Sequence, residues 1–208
     1  MEPFTRMEAV AAPLDIRNLD TNQLCPTRFN KLPIHDPDYH KVLFNNQRFD
    51  QSGEPVGEFI LNRAPYDKAR ILVADENFGC GSSRESAVYA LLAFGVRSVI
   101  APSFGDIFYN NCTKNGLLPV RLVTDVCDAL RRSLHLTPGA LVTVDLEHQR
   151  VLGPDSMEAT FDIHAGVRDA LLAGLDDVGL TRQSAAEIDA FEARYRQQVP
   201  WLFGERDL

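Results

Sequence analysis

Reactive side chains are concentrated in one decapeptide, Asn77-Phe78-Gly79-Cys80-Gly81-Ser82-Ser83-Arg84-Glu85-Ser86. Gly79 and Gly81 can take backbone angles closed to other residues and let a ligand approach the main chain. Two hydroxyls and a guanidinium follow them directly. An apolar run at 71–74 precedes the segment and a helical pattern beginning at Ala87 follows it, so the decapeptide is a strand-to-helix turn. Ser82 and Glu85 have capping-box spacing, which predicts a helix starting there. A helix start presents free N–H groups and partial positive charge, and with Arg84 beside it this is a candidate site for a small carboxylate-bearing anion. The same residues also read as a tight turn before a well-capped helix, with Ser82 as the cap and Arg84 as a solvated charge. Spacing alone leaves both readings open.

Other chemistries fit less well. Gly79-x-Gly81 begins a dinucleotide fingerprint, but Arg84 stands in place of the third glycine. No lysine precedes a Ser or Thr after a second glycine, so a Walker loop is absent. Neither serine has the Gly-x-Ser-x-Gly setting of a hydrolase nucleophile. His35-Asp36-Pro37-Asp38-Tyr39-His40 crowds two imidazoles and two carboxylates together, but Pro37 and the local polarity favour an exposed loop over a metal site. Cys80 lies beside the expected helix N-terminus, which would lower its pKa. With no histidine nearby in sequence, it reads as a packing residue. Cys25, Cys112 and Cys127 read as buried hydrophobes.

The elements that must position these groups follow from composition and period. The chain has 208 residues, 45% hydrophobic and 24% charged, which fits one globular domain over 1–208. A formal net charge of −8 argues against nucleic-acid binding. No run is long and apolar enough to cross a bilayer, and the first residues lack the pattern of a signal peptide. The four cysteines form no Cys-x-x-Cys pair, so free thiols in a cytoplasmic protein are expected. Nor do they have the spacing to hold an iron–sulfur cluster within this chain.

Residues 10–29 show no strong periodicity. Residues 31–57 form a long polar stretch broken by Pro33, Pro37, Gly53 and Pro55, a candidate mobile lid or specificity loop. From 71 the order is regular: strand 71–74, helix to about 94 stopped by Gly95, strand 96–101, helix 106–115, strand 117–122. This order predicts parallel strands joined by crossover helices. Residues 125–134 read as helix, 141–146 as strand, 160–163 as its possible partner, and 166–173 as a short helix before Gly174. A final helix is expected from Ser184, where Glu187 completes a second capping box.

The decapeptide resembles the signature of the small subunit of isopropylmalate isomerase (3-isopropylmalate dehydratase), the swivelling-domain part of the aconitase superfamily. The likeness extends over nearly the whole chain. Pro13-Leu14-Asp15 and Asn18-Leu19-Asp20-Thr21-Asn22-Gln23 are similar to the family's N-terminal motif, and Leu43-Phe44 with Arg48-Phe49 to its next segment. Ile100-Ala101-Pro102-Ser103-Phe104-Gly105-Asp106-Ile107-Phe108-Tyr109-Asn110-Asn111 and Gly116-Leu117-Leu118-Pro119-Val120 continue the match. Gly174-Leu175-Asp176-Asp177-Val178-Gly179-Leu180-Thr181 follows near the end.

The resemblance implies an α/β fold: a swivelling β/β/α domain with a mostly parallel central sheet or flattened barrel and flanking helices. It also implies a heterodimer with a large subunit whose own cysteines hold a [4Fe–4S] cluster, this chain binding no cofactor or metal itself. The implied reaction interconverts 2- and 3-isopropylmalate by dehydration and rehydration in leucine biosynthesis. Ser82 is then the base, Ser83 and Arg84 hold a substrate carboxylate, and Gly81, Asp20 and Thr21 complete the binding set. Two departures stand out: Asn22 where the family usually has Asp, and Ser86 where it often has His. They keep open a related hydro-lyase acting on citramalate, methylmalate or a homoaconitate-like acid. A noncatalytic anion-binding regulatory module is the reading from another class.

Overall fold

The computed structural model describes residues 1–81 and 84–203. Its elements in chain order are Arg6–Leu14 (β1), Thr21–Leu24 (α1), Asn45–Arg48 (α2), Ile71–Ala74 (β2), Ser86–Phe94 (α3), Ser98–Ala101 (β3), Asp106–Lys114 (α4) and Leu118–Arg121 (β4). Thr124–Leu136 (α5), Leu141–Asp145 (β5), Arg150–Leu152 (β6), Glu158–Thr160 (β7), Ala165–Ala173 (α6), Asp177–Gln183 (α7) and Ala185–Gln198 (α8) complete the chain.

The strands form one sheet in the order β4-β3-β2-β1-β5-β6-β7. From β4 to β1 every pair is parallel, and from β1 through β7 every pair is antiparallel. The parallel strands are buried on both faces, which is why 71–74 reads as an unbroken apolar run rather than an alternating one. Side chains nevertheless divide with a period of two. Leu72, Ala74, Val99 and Ala101 join Val88 and Leu91 of α3 and Phe108 of α4 in one core. Ile71, Val73, Ile100 and Val120 join Cys127, Leu130 and Leu134 of α5 in the other. The buried positions of α5, Cys127, Leu130, Arg131 and Leu134, recur at the spacing of one helical face. Helices flank this α/β sheet, as the resemblance implies, with three of its six pairings parallel and three antiparallel.

Five local expectations need correction. The stretch 10–29 contains part of β1, the central strand, and also α1. The strand expected at 160–163 lies at Glu158–Thr160 and pairs with β6. The stretch 31–57 is not all loop: Tyr39, Val42, Leu43, Phe44 and Arg48 are buried, leaving 31–38 and 50–57 as its mostly exposed parts. The helix after the decapeptide starts at Ser86, with Glu85 at its N-cap and no side-chain cap. The Glu85 carboxylate instead accepts from the Tyr89 hydroxyl at 2.7 Å. Likewise α8 follows Ser184, but the Ser184 side chain makes no capping bond.

Candidate active site

Because β1, β2 and β3 are parallel neighbours, the segments leaving them emerge side by side at the same edge of the sheet. That edge, beyond the carboxyl ends of parallel strands, is where open α/β sheets bind ligands. Here the three segments are joined backbone to backbone. Gly79 N–H donates to Leu19 O at 2.7 Å, Thr21 N–H to Cys80 O at 3.0 Å, Phe78 N–H to Ser103 O at 3.0 Å, and Gly105 N–H to Phe78 O at 2.9 Å. Asn18 and Asn77 both take left-handed backbone angles, which asparagine tolerates, and Asn77 Nδ2 donates to Asn18 Oδ1 at 2.8 Å.

Two glycines make this approach possible. Gly79 has φ +71°, and a Cβ there would lie 2.2 Å from a ring carbon of Phe108. A Cβ on Gly105 would lie 2.7 Å from the Gly79 carbonyl oxygen. Phe78, Phe104 and Phe108 pack edge-on or stacked beneath the segments and keep them in place. Between 77–81 and 105–108 opens a cavity of about 340 Å³, lined in part by Asn77, Gly79, Cys80, Gly81, Asp106 and Phe108.

Gly81 thus lines the cavity with φ +94°, and the Asp20 Cβ lies 3.8 Å from where a Gly81 side chain would begin. Asp20 caps α1: its Oδ1 accepts from Gln23 N–H at 2.8 Å while Gln23 Oε1 accepts from Asp20 N–H at 3.0 Å. Thr21 is buried directly behind Cys80. Arg84 is exposed, and its Nη1 donates to Thr27 Oγ1 at 3.1 Å. Thr27 Oγ1 in turn donates to Asn22 Oδ1 at 2.8 Å. Ser82 and Ser83 lie outside the described residues. The geometry therefore brings Asp20, Thr21 and Gly81 together at one edge, with Arg84 reaching toward Thr27.

The electrostatics correct one expectation and add one neighbour. The Cys80 thiol is raised above its ordinary pKa, first by burial and then by the Asp20 carboxylate. The expected lowering needed an adjoining helix N-terminus, and α3 begins six residues further on. Cys25 is raised by burial, partly offset by a hydrogen bond with Ser86 and by the charge of Arg84, which places this thiol beside them. Sequence reasoning missed Thr27 and Cys25 as neighbours of Arg84, since nothing local marks contacts between residues so far apart in the chain. The Asp20…Gln23 capping box was a legible signal for α1.

The histidines and aspartates of 35–40 form no metal cluster. Among the described residues only Asp145, Glu147 and His148 bring three potential ligand atoms within 4.8 Å of one another. No described cysteine belongs to that group. No helix of the described residues is long and apolar enough to cross a membrane.

An Aconitase C-terminal domain family model matches residues 1–125 and a LeuD_N model residues 128–165. A model of the C-terminal domain of the 3-isopropylmalate dehydratase small subunit matches residues 177–205. The 3-isopropylmalate dehydratase small subunit of Gluconacetobacter diazotrophicus is 48% identical over 207 residues, covering 97% of each chain. That of Dinoroseobacter shibae is 47% identical, covering 97% of this chain and all of its own. A crystal structure of 3-isopropylmalate dehydratase from Methanocaldococcus jannaschii is similar with a TM-score of 0.64 at 25% identity, covering 89% of this chain and 99% of the other. Near-complete coverage in both directions, at close to half identity, makes the conclusion direct: this chain belongs to the 3-isopropylmalate dehydratase small-subunit family of the aconitase superfamily.

Proposed function

We propose that this chain is the small subunit of a hydro-lyase that interconverts 2-isopropylmalate and 3-isopropylmalate in the cytoplasmic synthesis of leucine. The observation that carries the reading is the joining of the three segments after β1, β2 and β3, which sets Gly81 on an open cavity beside Asp20 and Thr21. Arg84 follows three residues later, and among the described residues no carboxylate lies within ion-pair distance of it. An exposed guanidinium without a counter-ion among the described residues is available to a substrate carboxylate, which it can grip with two parallel hydrogen bonds.

Dehydrating a hydroxy diacid requires a base for the C–H proton, an electrophile for the departing hydroxyl, and clamps for two carboxylates. Ser82 is assigned the proton, Ser83 and Arg84 a carboxylate, and the main chain at Gly81 the close approach. Asp20 acts through its cap on α1, fixing the segment that holds Thr21 against Cys80. The electrophile is assigned to a [4Fe–4S] cluster on a large partner subunit, which when bound supplies Lewis-acid chemistry.

A serine hydroxyl ordinarily ionises only far above neutral pH, and ionising it fully at neutral pH would take roughly 12 kcal/mol of stabilisation. A helix N-terminus contributes only about 0.3–2 kcal/mol. Ser82 therefore becomes basic only once substrate and partner enclose it, and the isolated chain has essentially no turnover.

Co-expression with the large subunit and assay of both isomers tests this reading. Ser82→Ala is expected to lower kcat by about 10²–10⁴-fold with substrate binding retained. Arg84→Lys should raise KM as well. Turnover by the isolated chain, or wild-type kinetics in Ser82→Ala, would overturn the assignment.

A second reading, a related hydroxy-diacid hydro-lyase, is favoured by the position of the two departures from the family. Asn22 bonds Thr27, and Ser86 Oγ donates to Asn30 Oδ1 at 3.4 Å. Both therefore touch the segment leading into 31–57, the candidate specificity loop. A panel including citramalate and homoaconitate distinguishes the two.

A further inference from the structure

We propose that Thr27, held by Asn22, is a positioning residue that aims the Arg84 guanidinium at the substrate carboxylate. This inference rests on the function proposed above and extends it to two residues with no assigned role. Arginine has only donors, so in the contact at 3.1 Å the Thr27 oxygen must accept from Arg84 Nη1. Its single hydroxyl hydrogen is left to donate, and Asn22 Oδ1 receives it at 2.8 Å. The direction of the relay is thereby fixed: Arg84 to Thr27 to Asn22.

Asn22 lies one residue beyond Thr21, whose amide is bound to Cys80 O, and follows Asp20, the cap of α1. The relay therefore begins on a long, many-rotamer side chain and ends on a well-anchored part of the site. Using Nη1 on Thr27 leaves the edge formed by Nε and Nη2 for a bidentate carboxylate. Arg84, Thr27 and Asn22 are all exposed in this chain, where such hydrogen bonds add little to folding. Their consequence is orientation: an unguided arginine samples many rotamers, and each poorly aimed one weakens the clamp.

The test uses the full chain assembled with its large subunit and assayed with 2- and 3-isopropylmalate. Thr27→Val, which keeps shape and loses the oxygen, is expected to raise KM about 10-fold with kcat within about 3-fold. Thr27→Ser should recover kcat/KM to within about 3-fold, and Asn22→Leu should resemble Thr27→Val. In an Arg84→Lys background, which has already lost the planar fork, Thr27→Val should cost less than about 3-fold further. The melting temperature of each single variant should stay within about 2 °C of wild type, since a folding role is not claimed. Wild-type KM in Thr27→Val, or the same penalty in both Arg84 and Arg84→Lys backgrounds, overturns the inference alone. No turnover of either isomer by the wild-type assembly overturns the proposed function and this inference with it.

Discussion

In the parallel half of the sheet, β4-β3-β2-β1, each of β1, β2 and β3 is followed by a crossover to its parallel neighbour, so successive loops leave at one edge and meet. In the antiparallel half, β5-β6-β7, short turns send the chain straight back and the loops alternate between edges. The turn after β5 lies at the opposite edge from the site, since Asp145 pairs with Arg6 at the start of β1. That turn also gathers charged groups around the buried Asp145 carboxylate. His148 N–H and its ring bond the Asp145 carboxylate at 3.0 and 2.9 Å, and Arg150 Nε stands 3.7 Å from it. The converging loops instead present glycine backbone and a cation without a protein carboxylate among the described residues. Topology thus gathers the glycine-bearing loops at one edge and sets the Asp145 cluster at the other.

The largest contrast should come from the glycines. Gly79→Ala puts a methyl into the Phe108 ring at a positive φ, and about 2–4 kcal/mol of destabilisation is expected. A Cβ on Gly153, between β6 and β7, would meet Leu130 Cδ1 and Met157 Sδ, each at 2.9 Å and each far along a side chain rather than on a ring or the backbone. Gly153→Ala should cost about 1 kcal/mol or less. Urea midpoints at constant m-value measure both, and equal costs would break the distinction between joined loops and free turns.

Two arginines give a smaller contrast. Arg131, buried on α5, donates Nε to Asp15 at 2.9 Å, Nη1 to Ala74 O at 2.7 Å, and Nη2 to Asp128 at 2.5 Å. It therefore ties α5 to the starts of the segments after β1 and β2. Arg131→Met should cost about 2–3 kcal/mol and lower turnover of the assembled enzyme. Arg150 reaches Asp145 and Glu158 only at 3.7 and 3.6 Å and is partly exposed, so Arg150→Met should cost about 0.5 kcal/mol or less. An Arg131→Met chain as stable as wild type would sever α5 from the site.

Much of the parallel half was legible because its signals are local. The run 71–74, the left-handed Gly95 after α3, and the four-position stripe on α5 each report their element directly. Its central strand was not. β1 reads Arg-Met-Glu-Ala-Val-Ala-Ala-Pro-Leu, and its small residues and Pro13 conceal a strand buried on both faces at its second half. The strands β6 and β7 have three residues each, too few to show a period. The Ser184…Glu187 spacing misled about its cap, since Ser184 precedes α8 but its side chain stays unbonded, and after the decapeptide the helix begins only past Glu85, whose carboxylate bonds Tyr89. At Asp20…Gln23 the pattern forms in full. The decapeptide named the site's main chain, whereas the Arg84–Thr27–Asn22 relay depends on tertiary contact that no local pattern encodes.

The smallest effects should separate the halves by pH. Near the site, the Tyr89 hydroxyl is pushed up from 10.0 to about 12, first by its hydrogen bond to Glu85 and then by burial. A raised pKa means the folded state favours the protonated form, so this contribution is complete below pH 10 and is lost as pH rises toward about 12. In the antiparallel half, burial pushes the Asp145 carboxyl up, but hydrogen bonds from the His148 backbone and ring and the charges of His148 and Arg150 outweigh it. Its pKa falls below 3.8, so its contribution is present above that value and is lost as pH drops through the lowered one. Tyr89→Phe should therefore flatten the alkaline limb of stability and leave the acid limb unchanged, while Asp145→Asn should do the reverse. Urea midpoints across both limbs measure this. A Tyr89→Phe chain that keeps the full alkaline slope would show that the loss there arises outside the Glu85–Tyr89 contact at the start of α3.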